Sequence, residues 1–208
     1  MIKNKFKVIS VILLLIITAV TCIHPIFPQE QILQHLGTLL LLLLLFFDIK
    51  RDYLSNFSFL CLSLFALLHI IAARYIYSYV PYNEWFKSLF QIDLNTIFQA
   101  KRNHFDRFVH FSFGLLVFPF LFEIFDRKNA INLMLKIFVV WSFIQTFSMI
   151  YEIFEWSLTL LMTSESADYY NGQQGDIWDA QKDMVFAMFG STIMAIIYFI
   201  KGRKANSR

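Results

Sequence analysis

Residues Ile137 to Leu161 read IFVVWSFIQTFSMIYEIFEWSLTLL, a run of 25 residues whose only charges are Glu152 and Glu155. As a helix the run would be about 37 Å long, enough to cross a hydrocarbon core about 30 Å thick. Its composition is that of a transmembrane segment, and the two acids are what such a segment should not carry. At 1.5 Å per residue Glu155 would lie about 9 Å and Glu152 about 14 Å below the end of the span. A carboxylate at a helix centre costs about 3 kcal/mol on insertion scales. Both acids are therefore expected to face the interior of a helix bundle and to need protons, a cation or arginine partners.

The rest of the chain agrees with this reading. Of its 208 residues, 58% are hydrophobic and 18% aromatic, with 25 Phe against six Gly and four Pro. Mean hydropathy is +0.57. Only 16% are charged, against about 25% in soluble domains, which is too few to coat a water-facing globule. The expected fold class is all-α and integral to the membrane, with about six transmembrane helices plus one interfacial helix. A single polytopic membrane domain is expected over 1–208, with spans near 8–23, 31–47, 57–77, 108–125, 137–161 and 183–200. The first two spans read as the shortest. The apolar run from Val8 to Val20 lacks a convincing cleavage site and reads as an uncleaved first helix. Cys22 and Cys61 lie in apolar spans without a CxxC partner and carry no redox signal.

Charge sets the expected orientation. Lys3, Lys5 and Lys7 open the chain, Lys201, Arg203, Lys204 and Arg208 close it, and Lys50–Arg51 and Arg127–Lys128 fall on the same side. By the positive-inside rule both termini should be cytoplasmic, in a multi-pass protein of the bacterial inner membrane. Terminal charges without a recognition motif give no nucleic-acid reading; the lipid bilayer is the expected partner, and oligomeric state stays open. The 78–107 segment, with Trp85, Phe86, Leu89, Phe90, Ile97 and Phe98 among polar residues, reads as an amphipathic helix in the outer interface or as a lid over the bundle.

On this topology the start of span four, the end of span five and the start of span six face outward together. They carry Asp106 and His110, four residues apart; Glu152 and Glu155, three apart; and Asp176, Asp179 and Asp183, at i, i+3 and i+7 if helical. Six acids meet three nearby cations at most: Arg107, Lys182 and Arg74. The excess negative charge calls for a metal or for protons. His104, Asp106, His110, Asp176, Asp179 and Asp183 are the candidate metal ligands, with His69 a further imidazole. Glu152, Glu155 and Arg107 are the candidate catalytic groups, Arg107 to hold an anion such as phosphate. Structural readings stand beside these: an N-cap for Asp106, a salt bridge from Glu152 or Glu155 to Arg107 or Arg74, and a capped helix start at Asp176. Gly172 and Gly175 form a loop that reads equally as an anion-binding nest or a turn. Gly114 and Gly190 read as points of close helix packing. Trp156 and Trp178 read as interface anchors or site walls. P-loop, nucleophile-elbow, HExxH and CxxC patterns are absent.

Four blocks carry a family resemblance: His69 to Tyr77, Arg102 to Arg107, Tyr151 to Trp156 and Gln174 to Met184. Together they resemble the bacterial YjdF-type inner-membrane family over roughly residues 55–200. Family members tend to have Gly and His where this chain has Ala73 and Arg74. More distantly, the order Asp-Arg-x-x-His, a helical Glu, then an Asp followed by Gly190 resembles the VanZ-like membrane proteins. The resemblance implies a small envelope protein and supplies no reaction. Three functions stay open: a membrane enzyme acting on a lipid-linked or envelope substrate, with or without a divalent metal, the cofactor itself staying open; a proton- or cation-coupled transporter or binding protein; or a structural protein whose polar network only joins helices.

Overall fold

A computed structural model describes residues 4–127, 131–161 and 173–206. Among them are eight helices and no strand: α1 (Lys5–Thr21), α2 (Pro28–Arg51), α3 (Asn56–Arg74), α4 (Tyr82–Phe90), α5 (Leu94–Ile97), α6 (Phe105–Arg127), α7 (Leu133–Thr159) and α8 (Asp179–Asn206). Local chemistry sets several ends. Pro28 stands at the start of α2, where a missing N–H costs nothing. The Ser55 hydroxyl accepts from Ser58 N at 3.2 Å to cap α3, and the Asn132 amide oxygen accepts from Leu135 N at 2.9 Å to cap α7.

Among the described residues five helices, α2, α3, α6, α7 and α8, are long and apolar enough to cross a membrane. With 17 residues, α1 rises about 26 Å and falls just short of the hydrocarbon thickness. The expected six spans are thus five full ones and this shorter helix. Of the expected short pair only α1 is short: α2 reaches 24 residues because Pro28, Gln29 and Glu30 precede the expected span and Asp48, Ile49, Lys50 and Arg51 continue the helix after it.

The arrangement is inverted relative to a soluble bundle. Leu36, Leu40, Phe147, Ile150 and Phe189 are exposed, whereas Asp106, His110, Ser112, Glu152, Asp183 and Ser191 are buried. An apolar exterior of this extent marks a surface that lipid covers. Helix α6 is central, packing on α3, α7 and α8, while α1, α2 and α3 pack on one another. Two apolar clusters result. One joins α1–α3 to α6 around Phe59, Leu62, Ala66 and Ile70; the other joins α6, α7 and α8 around Phe118, Val140, Ile144 and Met194.

The expected interfacial helix is two short ones. The chain turns at Gln91, which takes a left-handed conformation (φ 57°) and ends α4; α5 then starts from an Asp93 cap. Leu89, Phe90, Ile97 and Phe98 on the pair are exposed, as an interfacial segment requires.

At the end opposite the candidate site, Lys7 is fully buried. Its ammonium donates to Asp48 Oδ2 at 2.7 Å, Asp52 Oδ1 at 2.8 Å and the Leu54 carbonyl at 2.6 Å. Asp48 Oδ1 also accepts from the backbone of Tyr53 and Leu54, so the trio ties the start of α1 to the end of α2. Lys7→Met should cost about 2 kcal/mol, less than the loss of a fully buried pair, because Asp52 is half-exposed and Asp48 keeps two backbone donors. Chemical unfolding in detergent micelles checks this, and adding Asp48→Asn should recover part of the loss.

Candidate functional site

Helices α6, α7 and α8 bring the predicted acids together at one end of the bundle. Helix α7 ends at Thr159, two residues before the expected end of its span. Glu155 and Glu152 therefore lie roughly 6 and 10 Å from its end, shallower than expected. Asp106 and His110 occupy the first turns of α6, and Asp183 lies one turn into α8. Asp106, His110 and Asp183 are all buried and each offers a ligand atom within 4.8 Å of the other two. His110 Nε2 lies 3.6 Å from Asp106 Oδ1 and 3.4 Å from Glu152 Oε1. Among the described residues, neither Glu152 Oε1 nor Asp183 Oδ1 has a hydrogen-bond partner. Glu152, Glu155, Asp179 and Asp183 line a cavity of about 410 Å³ between α7 and α8, walled also by Trp156 and Ile177.

The backbones of α6 and α8 nearly touch below this group. A Cβ on Gly114 would lie 2.0 Å from the Ala187 carbonyl oxygen, and one on Gly190 2.1 Å from that of Phe111. Asp106, His110 and Gly114 follow at i, i+4 and i+8 on one face of α6; Asp183 and Ala187 are one turn apart on α8. The glycine crossing thus sets the separation at which the acids and the imidazole face each other.

The remaining predicted ligands are placed differently. Helix α8 begins at Asp179, so Asp176 precedes it and is not on a common stripe with Asp179 and Asp183. Its Oδ1 accepts from Trp178 N at 3.1 Å, a bond within the turn that precedes the helix. Arg102 holds Asp179 through two bonds of 2.6 and 2.9 Å. Arg107 reaches Asp176 at 2.7 Å and Asp179 at 2.9 Å, and Lys182 reaches Asp176 at 2.5 Å. Hydrogen bonds from Lys182 and from the Arg107 guanidinium hold the Asp176 carboxyl well below the usual carboxylate range. Arg107, expected to hold a free anion, is thus engaged by two carboxylates of its own chain.

His104 also stands apart. It lines an apolar cavity with Tyr82, Phe86 and Phe98, and burial, then the charges of Arg107 and Arg102, depress its pKa. His69 is occupied elsewhere, with Nδ1 2.5 Å from the Tyr77 hydroxyl and Nε2 3.1 Å from the Gln34 carbonyl oxygen. Arg74 donates to the carbonyls of Thr21 and Ile23 at the end of α1, not to Glu152 or Glu155. Gly175 adopts φ 84° in the turn before α8; Gly172, the other half of that loop, lies outside the described residues.

Two features escape the sequence reading. Arg102 is the main partner of Asp179, and Asn103 and Gln174 exchange bonds that dock the turn before α8 onto the turn before α6. These residues lie in irregular chain, where no periodicity points to them. Ser148 and Tyr151 have a signal: with Glu152 and Glu155 they fall at i, i+3, i+4 and i+7 on α7, one polar stripe. The Tyr151 ring lies 5.9 Å from that of His110.

Fold and site together define a polytopic helical membrane protein with a buried acid–imidazole group near one end of its bundle. The chain belongs to the family described as "Predicted membrane protein (DUF2238)", whose model matches residues 6–204. It is 28% identical over 148 residues to the inner membrane protein YjdF of Escherichia coli (strain K12), a match covering 71% of this chain and 66% of that protein, just under two thirds of its length. No solved structure matches the chain.

Proposed function

We propose that Asp106, His110, Asp183 and Glu152 form a divalent-cation site in a membrane-embedded enzyme acting on a lipid-linked or other envelope substrate. The observation that carries this reading is the donor set itself. His110 Nε2 stands 3.4 and 3.6 Å from two carboxylate oxygens, close to the roughly 3.4 Å edge of a tetrahedron of donors about 2.1 Å from a central ion. Glu152 Oε1 and Asp183 Oδ1 are buried and accept no hydrogen bond from the described residues, a costly state that a cation relieves.

Charge balance supports the same reading. Arg102, Arg107 and Lys182 are engaged by Asp176 and Asp179. Among the described residues, that leaves Asp106, Glu152, Glu155 and Asp183 around the imidazole of His110. Carboxylate and imidazole donors suit zinc, manganese or iron; such an ion would supply Lewis acidity or an activated water. Glu155, in the cavity wall beside this set, is placed to exchange a proton with a bound substrate. The relative's name supports the inner membrane as its location, and the positive-inside bias of the lysines and arginines supports cytoplasmic termini with the site toward the outer face.

Metal analysis of the purified full-length protein tests the reading. About one divalent ion per chain, lost in Asp106→Ala and Asp183→Ala variants that still fold, is the expected result. A metal-free protein whose sodium- or proton-dependent flux in liposomes vanishes in Glu155→Gln would replace the enzyme with a transporter.

A further inference from the structure

His110 lines a second cavity as well, of about 250 Å³, with walls from α2, α3, α6 and α7. Helix α2 packs on α1 and α3, and α7 on α6 and α8, so this cavity is the seam between two helix groups. Leu40 and Phe147 at its rim are 60% and 50% exposed, and the seam therefore opens sideways onto the surface that lipid covers.

Its polarity is graded with depth. His69, His110 and Tyr151 lie roughly 8 to 12 Å from the site-side ends of their helices, whereas Phe113, Leu40 and Phe147 lie roughly 12 to 18 Å from theirs. The shallow part carries His69, Tyr77, His110 and Tyr151 beside Val109 and is continuous with the acid–imidazole group through His110; the deep part is leucine and phenylalanine at hydrocarbon depth, with Ser148 its one polar side chain among the described residues. Lipid chains gain nothing hydrophobically by leaving the bilayer, but an unfilled apolar cleft forfeits dispersion contacts along its walls. A molecule that is polar at one end and hydrocarbon at the other matches both parts.

We infer that this cleft receives the hydrocarbon chain of a membrane lipid, entering between α2 and α7 and placing the lipid's polar end at His110 beside the cation group. The inference deepens the enzyme reading by naming its substrate class as a bilayer amphiphile, and as a substrate claim it rests on that reading.

The test uses the full-length protein in vesicles of phosphatidylethanolamine and phosphatidylglycerol, containing a phosphatidylglycerol with a diazirine midway along one acyl chain. After illumination, label should concentrate on the peptides carrying Gly37–Leu41 and Phe147–Tyr151. Leu40→Trp should reduce it about ten-fold, because an indole fills the space the chain occupies. Leu39→Trp, at an exposed position outside the cleft lining, should leave it unchanged. Phe147→Ala, which widens the mouth, should raise it.

Label spread evenly over the lipid-facing helices overturns the inference, as does crosslinking that joins two copies of the chain through this seam. The two readouts fail separately. One metal per chain without cleft labelling removes the lipid inference alone. Cleft labelling in a protein that holds no metal removes the cation site and leaves a lipid-binding cleft.

Discussion

A Gly114→Ala variant is expected to lose about 3 kcal/mol of stability and, with it, the capacity to bind a divalent cation. The added methyl would lie 2.0 Å from the Ala187 carbonyl oxygen and 2.7 Å from Ser191 N. Both are backbone atoms of a helix, so no rotamer change can make room, and α6 and α8 must separate. This crossing is the most extensive helix contact in the bundle, and a shift of even 1 Å there carries Asp183 away from Asp106 and His110. Gly190→Ala meets the reciprocal obstacle, the Phe111 carbonyl oxygen at 2.1 Å, and should behave alike.

Gly202→Ala is the control. Its closest contact is Leu133 Cδ2 at 2.3 Å, the far end of a side chain that can rotate away, so the cost should stay within about 1 kcal/mol. Unfolding by denaturant in detergent micelles, followed by helicity, separates these outcomes. A Gly114→Ala protein as stable as the Gly202→Ala protein would mean that the helices do not cross this closely.

The glycine crossing was legible in the sequence, and so was the convergence it serves. Alternating spans force the start of α6, the end of α7 and the start of α8 to one end, whatever the side chains do. Apolar length identified the membrane helices because a run such as Leu39–Leu45 has no other stable solvent. What could not be read was which acid takes which partner. Arg102 lies before the first turn of α6 and Asp176 before that of α8, and the path of irregular chain follows from tertiary contacts that no period encodes. Lys7 was hidden for a different reason. As one of three lysines at the N-terminus it reads as an orientation signal, and only the nearness of Asp48 and Asp52 at the end of α2 makes it a buried partner. The break at Gln91 has no glycine or proline to announce it.

The division of the acids into two groups predicts opposite consequences for two aspartates a single turn apart on α8. Asp179→Ala should destabilise the protein by about 3 kcal/mol, since it leaves buried charges short of a partner. Arg102 would lose both of its bonds to Asp179, and Arg107 would lose one of two, although Asp176 keeps part of the lattice together. Cation binding should survive wherever the variant folds, because Asp179 already serves two guanidinium groups. Asp183→Asn should do the reverse. Asp183 Oδ1 has no hydrogen-bond partner among the described residues, and its neighbours include Asp106 and the acids lining the same cavity. Removing its charge relieves like-charge repulsion in a region of low dielectric, so the metal-free variant should be at least as stable as the parent. Its affinity for a divalent cation should fall by about 100-fold or more, beyond the roughly 10- to 100-fold attached to outer-shell partners alone. Unfolding in the presence of a chelator and metal titration of the folded protein measure the two quantities independently. Equal loss of stability in both variants would mean that the six acids form one salt-bridged network, in which case Asp183 supports the helices and has no cation to hold.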